Sequence, residues 1–214
     1  MWHPERSAAR SKDVEACLRR FLRYFASDAI ALTGGLAIEY HLAAAGVPPL
    51  RTKIADLDFV ARDVERVSPA IAGEFLISHY HVRGPGVPKA MLQLVDPRAA
   101  LRIDVFPDDA GVLDASIVAT LENVELRVLS PHDVLAHKLQ TLRAATTAID
   151  PKHRRDATAL AIACHVDVAI PPVVEAPERY SQDVAAVCPR CARSATPAFP
   201  LAPKEKVFSL LGYV

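Results

Sequence analysis

The amino-acid sequence predicts an α/β fold of the α+β type, in which helices flank a mixed β-sheet core. Short apolar segments typical of strands recur between residues 29 and 129, and amphipathic helical patterns precede and follow them. The 214 residues are 51% hydrophobic, which is enough to bury one large core. We therefore expect one main domain with a small C-terminal addition.

The predicted elements follow one another in a simple order. Helices are predicted for residues 11–26, 34–45, 131–145 and 152–165, and strands for residues 29–33, 56–61, 75–83, 91–95, 101–106 and 125–129. The third helix has a well-marked start, because Ser130 is the expected N-cap, Pro131 takes the first helical position and Asp133 is the capping acid.

These elements divide the chain into three parts. We assign residues 1–129 to the core, residues 130–166 to a small helical subdomain and residues 167–214 to a tail. Seven of the seventeen prolines follow residue 166, so we expect this tail to be extended, with a short closing helix at residues 204–211.

Charge and apolar runs limit the classes of protein that fit. Lys plus Arg and Asp plus Glu both number 25, and this balance argues against a protein that coats nucleic acid through its phosphates. The apolar runs are shorter than the roughly 18 residues that span a bilayer, and the first twenty residues lack the apolar core of a secretory signal. We expect a cytoplasmic protein without a membrane segment.

Two aspartates interrupt a predicted strand. In "IADLDFV", Asp56 and Asp58 share one strand face at a spacing of about 6–7 Å, while Leu57 and Phe59 face the core. Adjacent ionised carboxylates repel each other in a low dielectric, whereas bridging divalent cations such as Mg²⁺ make the pair favourable. The alternative is a pair of solvent-facing aspartates on an edge strand.

A third aspartate and a glycine turn favour the metal interpretation. Asp104 interrupts "LRIDVFP" in the same way and is positioned to complete a metal cage from another strand. Gly34 and Gly35 join a strand to a helix, where glycine allows close approach of a ligand and the helix N–H groups attract anions. Thr33 adds a hydroxyl there. For the glycines alone, an ordinary tight turn is the alternative.

One lysine falls inside the apolar arc of its predicted helix. Lys138 lies among one valine and three leucines in "VLAHKLQTL", where an unpaired ammonium is costly. A triphosphate is a suitable partner, and a lysine that extends to the helix edge is the alternative. Asp156 faces inward on the next helix, and a salt bridge to Lys138 or Arg143 fits it as well as a catalytic part.

Taken together, these motifs resemble the polymerase-β-like nucleotidyltransferase superfamily over residues 29–160. The glycine pair, "DLD", Asp104, "SPHDVLAHKLQTL" and "RDATAL" look closest to the AbiEii-like branch, the toxin-type nucleotidyltransferases. One departure is that Arg51 lies a residue further from Asp56 than the family pattern has it, which puts the roles of Arg51, Thr52 and Lys53 in doubt.

The resemblance implies an activity and a set of roles. Asp56, Asp58 and Asp104 would hold Mg²⁺ or Mn²⁺, and Asp104 would also favour deprotonation of the acceptor hydroxyl. The nucleoside triphosphate would bind at Thr33, Gly34, Gly35 and Lys138. The acceptor stays open among an RNA end, a protein and a small molecule, and a toxin-type enzyme would have an antitoxin protein as its partner.

The tail contains a cysteine pair with metal-ligand spacing. Cys188 and Cys191 form "CPRC", which is typical of a zinc knuckle but supplies only two ligands. Cys164 or His165 could supply a further ligand for a structural Zn²⁺, and ordinary thiols are the alternative. His79 and His81 form H-x-H on a predicted strand, and we interpret them as surface or cleft-lining residues.

The hypothesis from the sequence is a Mg²⁺-dependent nucleotidyltransferase that moves a nucleoside monophosphate from a triphosphate to a hydroxyl. The first rival is a catalytically inactive nucleotide- or partner-binding module with the same fold. A zinc-stapled interaction protein is the second rival.

Overall fold

The computed structural model describes residues 11–51, 54–81, 90–144 and 151–164. Within these ranges the chain forms four α-helices and seven β-strands. The helices are α1 (Ser11–Leu22), α2 (Gly34–Ala44), α3 (Pro131–Ala144) and α4 (Pro151–Ala163). The strands are β1 (Ile30–Thr33), β2 (Asp56–Ala61), β3 (Leu76–His81), β4 (Met91–Asp96), β5 (Leu101–Pro107), β6 (Ile117–Leu121) and β7 (Val124–Val128).

All seven strands belong to one mixed sheet, which confirms the predicted fold class. Their order is β3-β4-β5-β2-β1-β7-β6. The central pair β2 and β5 is parallel, as is the pair β1 and β7, and the other neighbours are antiparallel. Strands β2 and β5 lie far apart in the chain, and the residues that they pair, such as Asp58 and Asp104, are separated by 46 positions in the sequence.

The predicted element bounds are confirmed within a few residues, with two exceptions. Strand β2 begins and ends where the sequence predicts, whereas α1 ends at Leu22 rather than at residue 26. Strand β6 was not predicted at all. It pairs with β7 through a tight turn in which Glu122 and Asn123 have φ of 47° and 58°. Glycine is the usual sequence signal of such a hairpin turn, and this turn contains none.

One part of the core lies on the face of β2 that carries Leu57 and Phe59. Leu57 and Phe59 of β2 are fully buried, as the alternation predicts. Phe21 of α1 packs on this side, with its ring centroid 4.8 Å from that of Phe59 and 6.1 Å from that of Phe75. Helix α1 therefore covers the apolar face of the sheet, and the side chains that alternate with this core lie on the opposite face.

A buried ion pair fastens α1 to the turn between β4 and β5. Asp96 is fully buried and binds the guanidinium of Arg20. Its second oxygen accepts a hydrogen bond from the Arg98 amide at 2.9 Å. Burial, followed by the charge of Asp96, raises the pKa of the nearby Cys17 thiol, so that this cysteine is a protonated core residue.

Helix α2 is buried on nearly every side. Nine of its eleven residues are buried, and the helix contacts β2, α3 and α4. Two of those residues are polar and have partners: Glu39, described below, and His41, whose Nε2 lies 2.8 Å from the Leu129 carbonyl. Burial lowers the pKa of His41 to about 4, so its imidazole is neutral at physiological pH.

Helices α3 and α4 follow the sheet and pack on each other and on α2. The predicted cap of α3 is present, because the Asp133 amide donates to Ser130 Oγ at 3.2 Å and Ser130 Oγ donates to the Asp133 carboxylate at 2.5 Å. The three-part division of the chain stays a prediction, since the tail and its closing helix lie outside the described residues. None of the helices described is both long and apolar enough to span a membrane.

Candidate active site

A row of polar side chains crosses five neighbouring strands on the sheet face opposite Leu57 and Phe59. In the register of the sheet, Asp58 of β2 pairs with Thr33 of β1 on one side and with Asp104 of β5 on the other. Asp104 pairs in turn with Gln93 of β4, which pairs with His79 of β3. The parallel pairing of β2 and β5 thus brings the second and third predicted carboxylates side by side.

The first carboxylate lies on the same face, one strand step away. Asp56 precedes Asp58 by two residues and pairs with Arg102 in the β2–β5 register. Both Asp56 and Asp58 are partly exposed, and Asp104 is 7% exposed. The structure therefore brings together all three aspartates that the sequence singled out.

The glycine turn lies directly against one of these carboxylates. Gly34 has a φ of +66°, and a Cβ built on it would lie 1.9 Å from Asp58 Oδ2 and 2.6 Å from Asp58 Cγ. No other residue fits there, because both the backbone conformation and the space exclude a side chain. A Cβ on Gly35 would lie 3.1 Å from Arg51 Nε, which is also tight. The glycine turn and the aspartates thus belong to one site.

Burial and neighbouring negative charges raise the pKa of Asp58 to about 6. Desolvation by burial is the largest cause, and the charges of Asp56 and Asp104 act in the same direction. Lys138 and Arg102 oppose the rise. A carboxylate in this state gains most from a nearby cation, because the cation removes the repulsion that disfavours ionisation.

One arginine already contacts two of the three carboxylates. Arg102 Nη2 lies 2.5 Å from Asp56 Oδ2, and Arg102 Nε lies 3.2 Å from Asp104 Oδ2. In the part of the chain that the structure describes, no three His, Cys, Asp or Glu side chains are arranged as a ready metal cluster. The sequence analysis missed Arg102, although its position two residues before Asp104 puts it on the same strand face.

A glutamine holds Asp104 from the other side. Gln93 Nε2 donates to Asp104 Oδ1 at 2.8 Å, and Gln93 Oε1 accepts from Ser78 Oγ at 2.8 Å. His79 Nδ1 lies 2.9 Å from the same Oε1. His79 is exposed, and its ring stacks on that of His81 at 6.0 Å, which confirms their interpretation as surface residues. Gln93 was also missed, although it is the one polar residue inside "MLQLV".

Lys138 reaches the same region from α3, where its side chain is 12% exposed. Its Nζ lies 3.1 Å from Asp156 Oδ2, outside hydrogen-bond alignment, so the salt bridge considered for Asp156 is present. Lys138 is also close enough to lower the pKa of Asp58. The ammonium thus lies between a fully buried carboxylate of α4 and the carboxylates of the sheet.

Arg51 extends this chain of charges into the interior. Its Nη2 lies 2.5 Å from Asp156 Oδ1 and its Nη1 lies 2.8 Å from Glu39 Oε1. The second oxygen of Glu39 accepts from the Leu50 amide at 3.1 Å. Arg51 therefore ties α2 to α4 beneath the glycine turn. Thr52 and Lys53, its neighbours in the motif, lie outside the described residues.

Thr33 contributes a hydroxyl without a hydrogen-bond partner among the described residues. The residue is 1% exposed, and its Oγ1 accepts or donates no hydrogen bond within that part of the chain, although it precedes the first turn of α2. Buried hydroxyls are normally satisfied, and a ligand bound at this place would satisfy this one. Thr33 pairs with Asp58 across β1 and β2, so this orphan lies beside the carboxylates.

The predicted zinc site is only partly within the described residues. Cys164 is buried just after α4, and burial raises the pKa of its thiol to about 12. A thiol in this state is protonated, whereas zinc binds the thiolate. Cys188, Cys191 and His165 lie outside the described residues, so the zinc site stays a prediction.

Comparisons with known proteins give likenesses of fold alone. No protein-family model matches this sequence, and a search of curated proteins finds no match. The antibiotic-resistance factor ANT(2″)-Ia, solved in complex with adenylyl-2″-tobramycin, is 13% identical, with a TM-score of 0.48 over 71% of this chain and 84% of that one.

Two further solved structures resemble the chain at a similar level. An antigenic nucleotidyltransferase-like protein from Paracoccidioides brasiliensis is 15% identical, with a TM-score of 0.45 over 73% of this chain and 78% of that one. JHP933 from Helicobacter pylori is 16% identical, with a TM-score of 0.43 over 73% and 68%. At these identities and scores the likenesses carry no argument about activity, which rests on the geometry of the site.

Proposed function

We propose that the protein is a Mg²⁺-dependent nucleotidyltransferase that moves a nucleoside monophosphate from a nucleoside triphosphate to a hydroxyl acceptor. The observation that carries the proposal is the position of Asp58, which lies against Gly34 on one side and beside Asp104 on the other. A purely structural sheet would gain nothing from placing these carboxylates together, because their mutual repulsion is unfavourable.

The donor set suits a hard divalent cation. Asp56, Asp58 and Asp104 offer only carboxylate oxygens, which Mg²⁺ and Mn²⁺ prefer. The raised pKa of Asp58 and the orphaned Thr33 hydroxyl both support a ligand at this place. When bound, the metal would neutralise charge on the triphosphate and on the attacking oxygen.

The surrounding residues would hold the triphosphate in position. The first N–H groups of α2 lie at the Gly34–Gly35 turn, where a helix attracts anions, and Lys138 supplies an ammonium from α3. The acceptor oxygen would form a bond to the α-phosphorus while the bond to the β-phosphate oxygen breaks and pyrophosphate leaves. Asp104, with its second oxygen fixed by Gln93, would accept the hydroxyl proton.

A second candidate is an inactive nucleotide- or partner-binding module with the same fold. One observation favours it: Arg102 already neutralises two of the carboxylates without any metal ion. The AbiEii-like branch, the toxin role and an antitoxin partner stay predictions from the sequence. The acceptor class is equally open among RNA, protein and small molecules.

The test is a transfer reaction with the full chain. The protein is incubated with each α-labelled nucleoside triphosphate, Mg²⁺ or Mn²⁺, and separately with total RNA, cell protein or a set of aminoglycosides. We expect label in one acceptor class, and we expect Asp58→Asn to reduce it by about a hundredfold or more. Asp63→Asn is the matched control, because Asp63 is exposed and pairs with the nearby Arg66 rather than with any residue of the site.

Two results would contradict the proposal. The first is no transfer and no metal-dependent binding of any nucleoside triphosphate. The second is binding of a triphosphate that Asp58→Asn leaves unchanged, which would favour the inactive module.

A further inference from the structure

Arg102 is the one guanidinium that contacts the proposed metal ligands among the residues described. It lies on β5, directly opposite Asp56 in the parallel register and two residues before Asp104. Its side chain is 43% exposed, in contrast to the deeply buried Arg51 network. The arginine therefore lies at the open side of the carboxylate group rather than beneath it.

The guanidinium uses two separate nitrogens for two separate acids. Nη2 contacts Asp56 at 2.5 Å and Nε contacts Asp104 at 3.2 Å. In both cases the contacted atom is Oδ2. A divalent cation bound between these aspartates needs the same oxygens, so Arg102 and the metal exclude each other from them.

The rest of the site does not depend on this arginine for its shape. Asp104 Oδ1 is held by Gln93, and Asp58 is confined by Gly34. Arg102 has a long side chain with access to solvent, so it can leave the carboxylates by rotation of its own torsions while β5 stays in register. Departure from Asp56 costs little, because these two side chains are 43% and 35% exposed and exposed ion pairs are individually weak. The contact with Asp104, whose side chain is 9% exposed, is the costlier of the two to lose.

We infer that Arg102 is a built-in counterion that competes with the divalent cation for Asp56 and Asp104 and so sets the affinity of the site for metal. This inference rests on the proposed function, since it assumes that these aspartates bind a metal. It assigns Arg102 a positioning role: the residue holds the two carboxylates together until a stronger cation replaces it.

The inference predicts opposite effects of one substitution on two measurements. In Arg102→Gln, Mn²⁺ binds without the competing guanidinium and its positive charge, so we expect its affinity in the absence of nucleotide to rise about tenfold. The same variant without metal has three neighbouring carboxylates and one cation fewer. We therefore expect its melting temperature to fall, and saturating Mn²⁺ to raise it by more than in the wild type.

The experiment titrates Mn²⁺ into chelator-treated full-length protein and measures free Mn²⁺ by electron paramagnetic resonance, with melting curves in parallel. Arg66→Gln is the control for loss of an exposed arginine that pairs with an aspartate away from the site. Arg102→Lys keeps one positive charge with a single point of contact, so its affinity should lie between the two. It also replaces Arg102→Gln if that variant does not fold.

The outcomes separate this inference from the proposed function. If wild-type protein binds Mn²⁺ and Asp58→Asn abolishes that binding, the metal site stands. In that case, if both Arg102 variants bind Mn²⁺ as tightly as the wild type or more weakly, the inferred competition by Arg102 is wrong, while the proposed metal site is unaffected. If neither the wild type nor Arg102→Gln binds Mn²⁺ in a manner sensitive to Asp58→Asn, the proposed metal site fails and this inference fails with it.

Discussion

The contact between Gly34 and Asp58 can be tested by adding a single methyl group. In Gly34→Ala the new Cβ meets Asp58 Oδ2 at 1.9 Å, Cγ at 2.6 Å and Cβ at 2.7 Å. Because β2 is a central strand, its backbone cannot retreat without disturbing the sheet. The residue also has to keep a φ of +66°, which L-residues with a side chain rarely adopt.

A second glycine supplies the matched control. Gly46 has a φ of +72°, and a Cβ there would meet no described atom within 4 Å. Gly46→Ala should therefore cost only the conformational term, about 1–2 kcal/mol of the free energy of unfolding. Gly34→Ala carries that term and also an overpacking term of about 1–3 kcal/mol, so its total cost should be about 2–5 kcal/mol.

Urea unfolding of the two variants measures the difference directly, and a double mutant identifies its cause. Asp58→Ala removes the two atoms nearest to the added methyl, so Gly34→Ala should cost less in that background than in the wild type. Equal costs for Gly34→Ala and Gly46→Ala, within about 0.5 kcal/mol, would refute the close packing of the turn on the carboxylate.

Three further predictions concern charge and hydrogen bonding. Because the pKa of Asp58 is about 6 in the folded protein against an ordinary 3.8, the folded state binds the extra proton, so the free energy of unfolding should fall by about 1–3 kcal/mol as pH rises from 4 to 7. Asp58→Asn should lack this component, and a pH series of urea unfolding curves for both proteins would detect it; parallel curves would contradict the raised pKa. Arg51→Met leaves two buried carboxylates without their shared cation and should reduce the free energy of unfolding by about 3 kcal/mol, measured in the same way; a loss below about 1 kcal/mol would mean that the network is not coupled. Gln93→Leu removes the donor that orients the third carboxylate, so transfer should slow about tenfold with little change in the KM for the triphosphate; an unchanged kcat would argue against a positioning role.

The alternation of apolar and polar residues in the sequence predicted most of the strands of the sheet. In β2 it also predicted which side chains face the core. Both ends of strand β2 were predicted correctly, because Leu57 and Phe59 alternate with aspartates, which are unfavourable in an apolar core. Strand β6 could not be predicted in this way, since its turn uses Glu122 and Asn123 in left-handed conformations instead of a glycine. The start of α3 was predictable because capping depends only on neighbours in the chain.

The aspartates of the site could be predicted from the sequence, whereas the arginines that contact them could not. An aspartate in a strand is conspicuous in the sequence, whereas Arg102 becomes notable only once the register sets it opposite Asp56. The same holds for Arg51, whose two partners lie 12 and 105 residues away along the chain. Contacts between distant segments depend on which strands and helices become neighbours, and periodicity carries no record of that choice.

Strand registry links chemistry to folding in this protein. If β5 slid by one residue against β2, Ile103 or Val105 would take the place of Asp104 beside Asp58, and ionised groups would enter the apolar interior. Such a slip would ruin both the hydrophobic packing and the carboxylate cluster at once. The hydrophobic packing that fixes the register of β5 on β2 therefore also fixes the spacing of the aspartates. We expect a variant that folds cooperatively to have its carboxylates in the native arrangement.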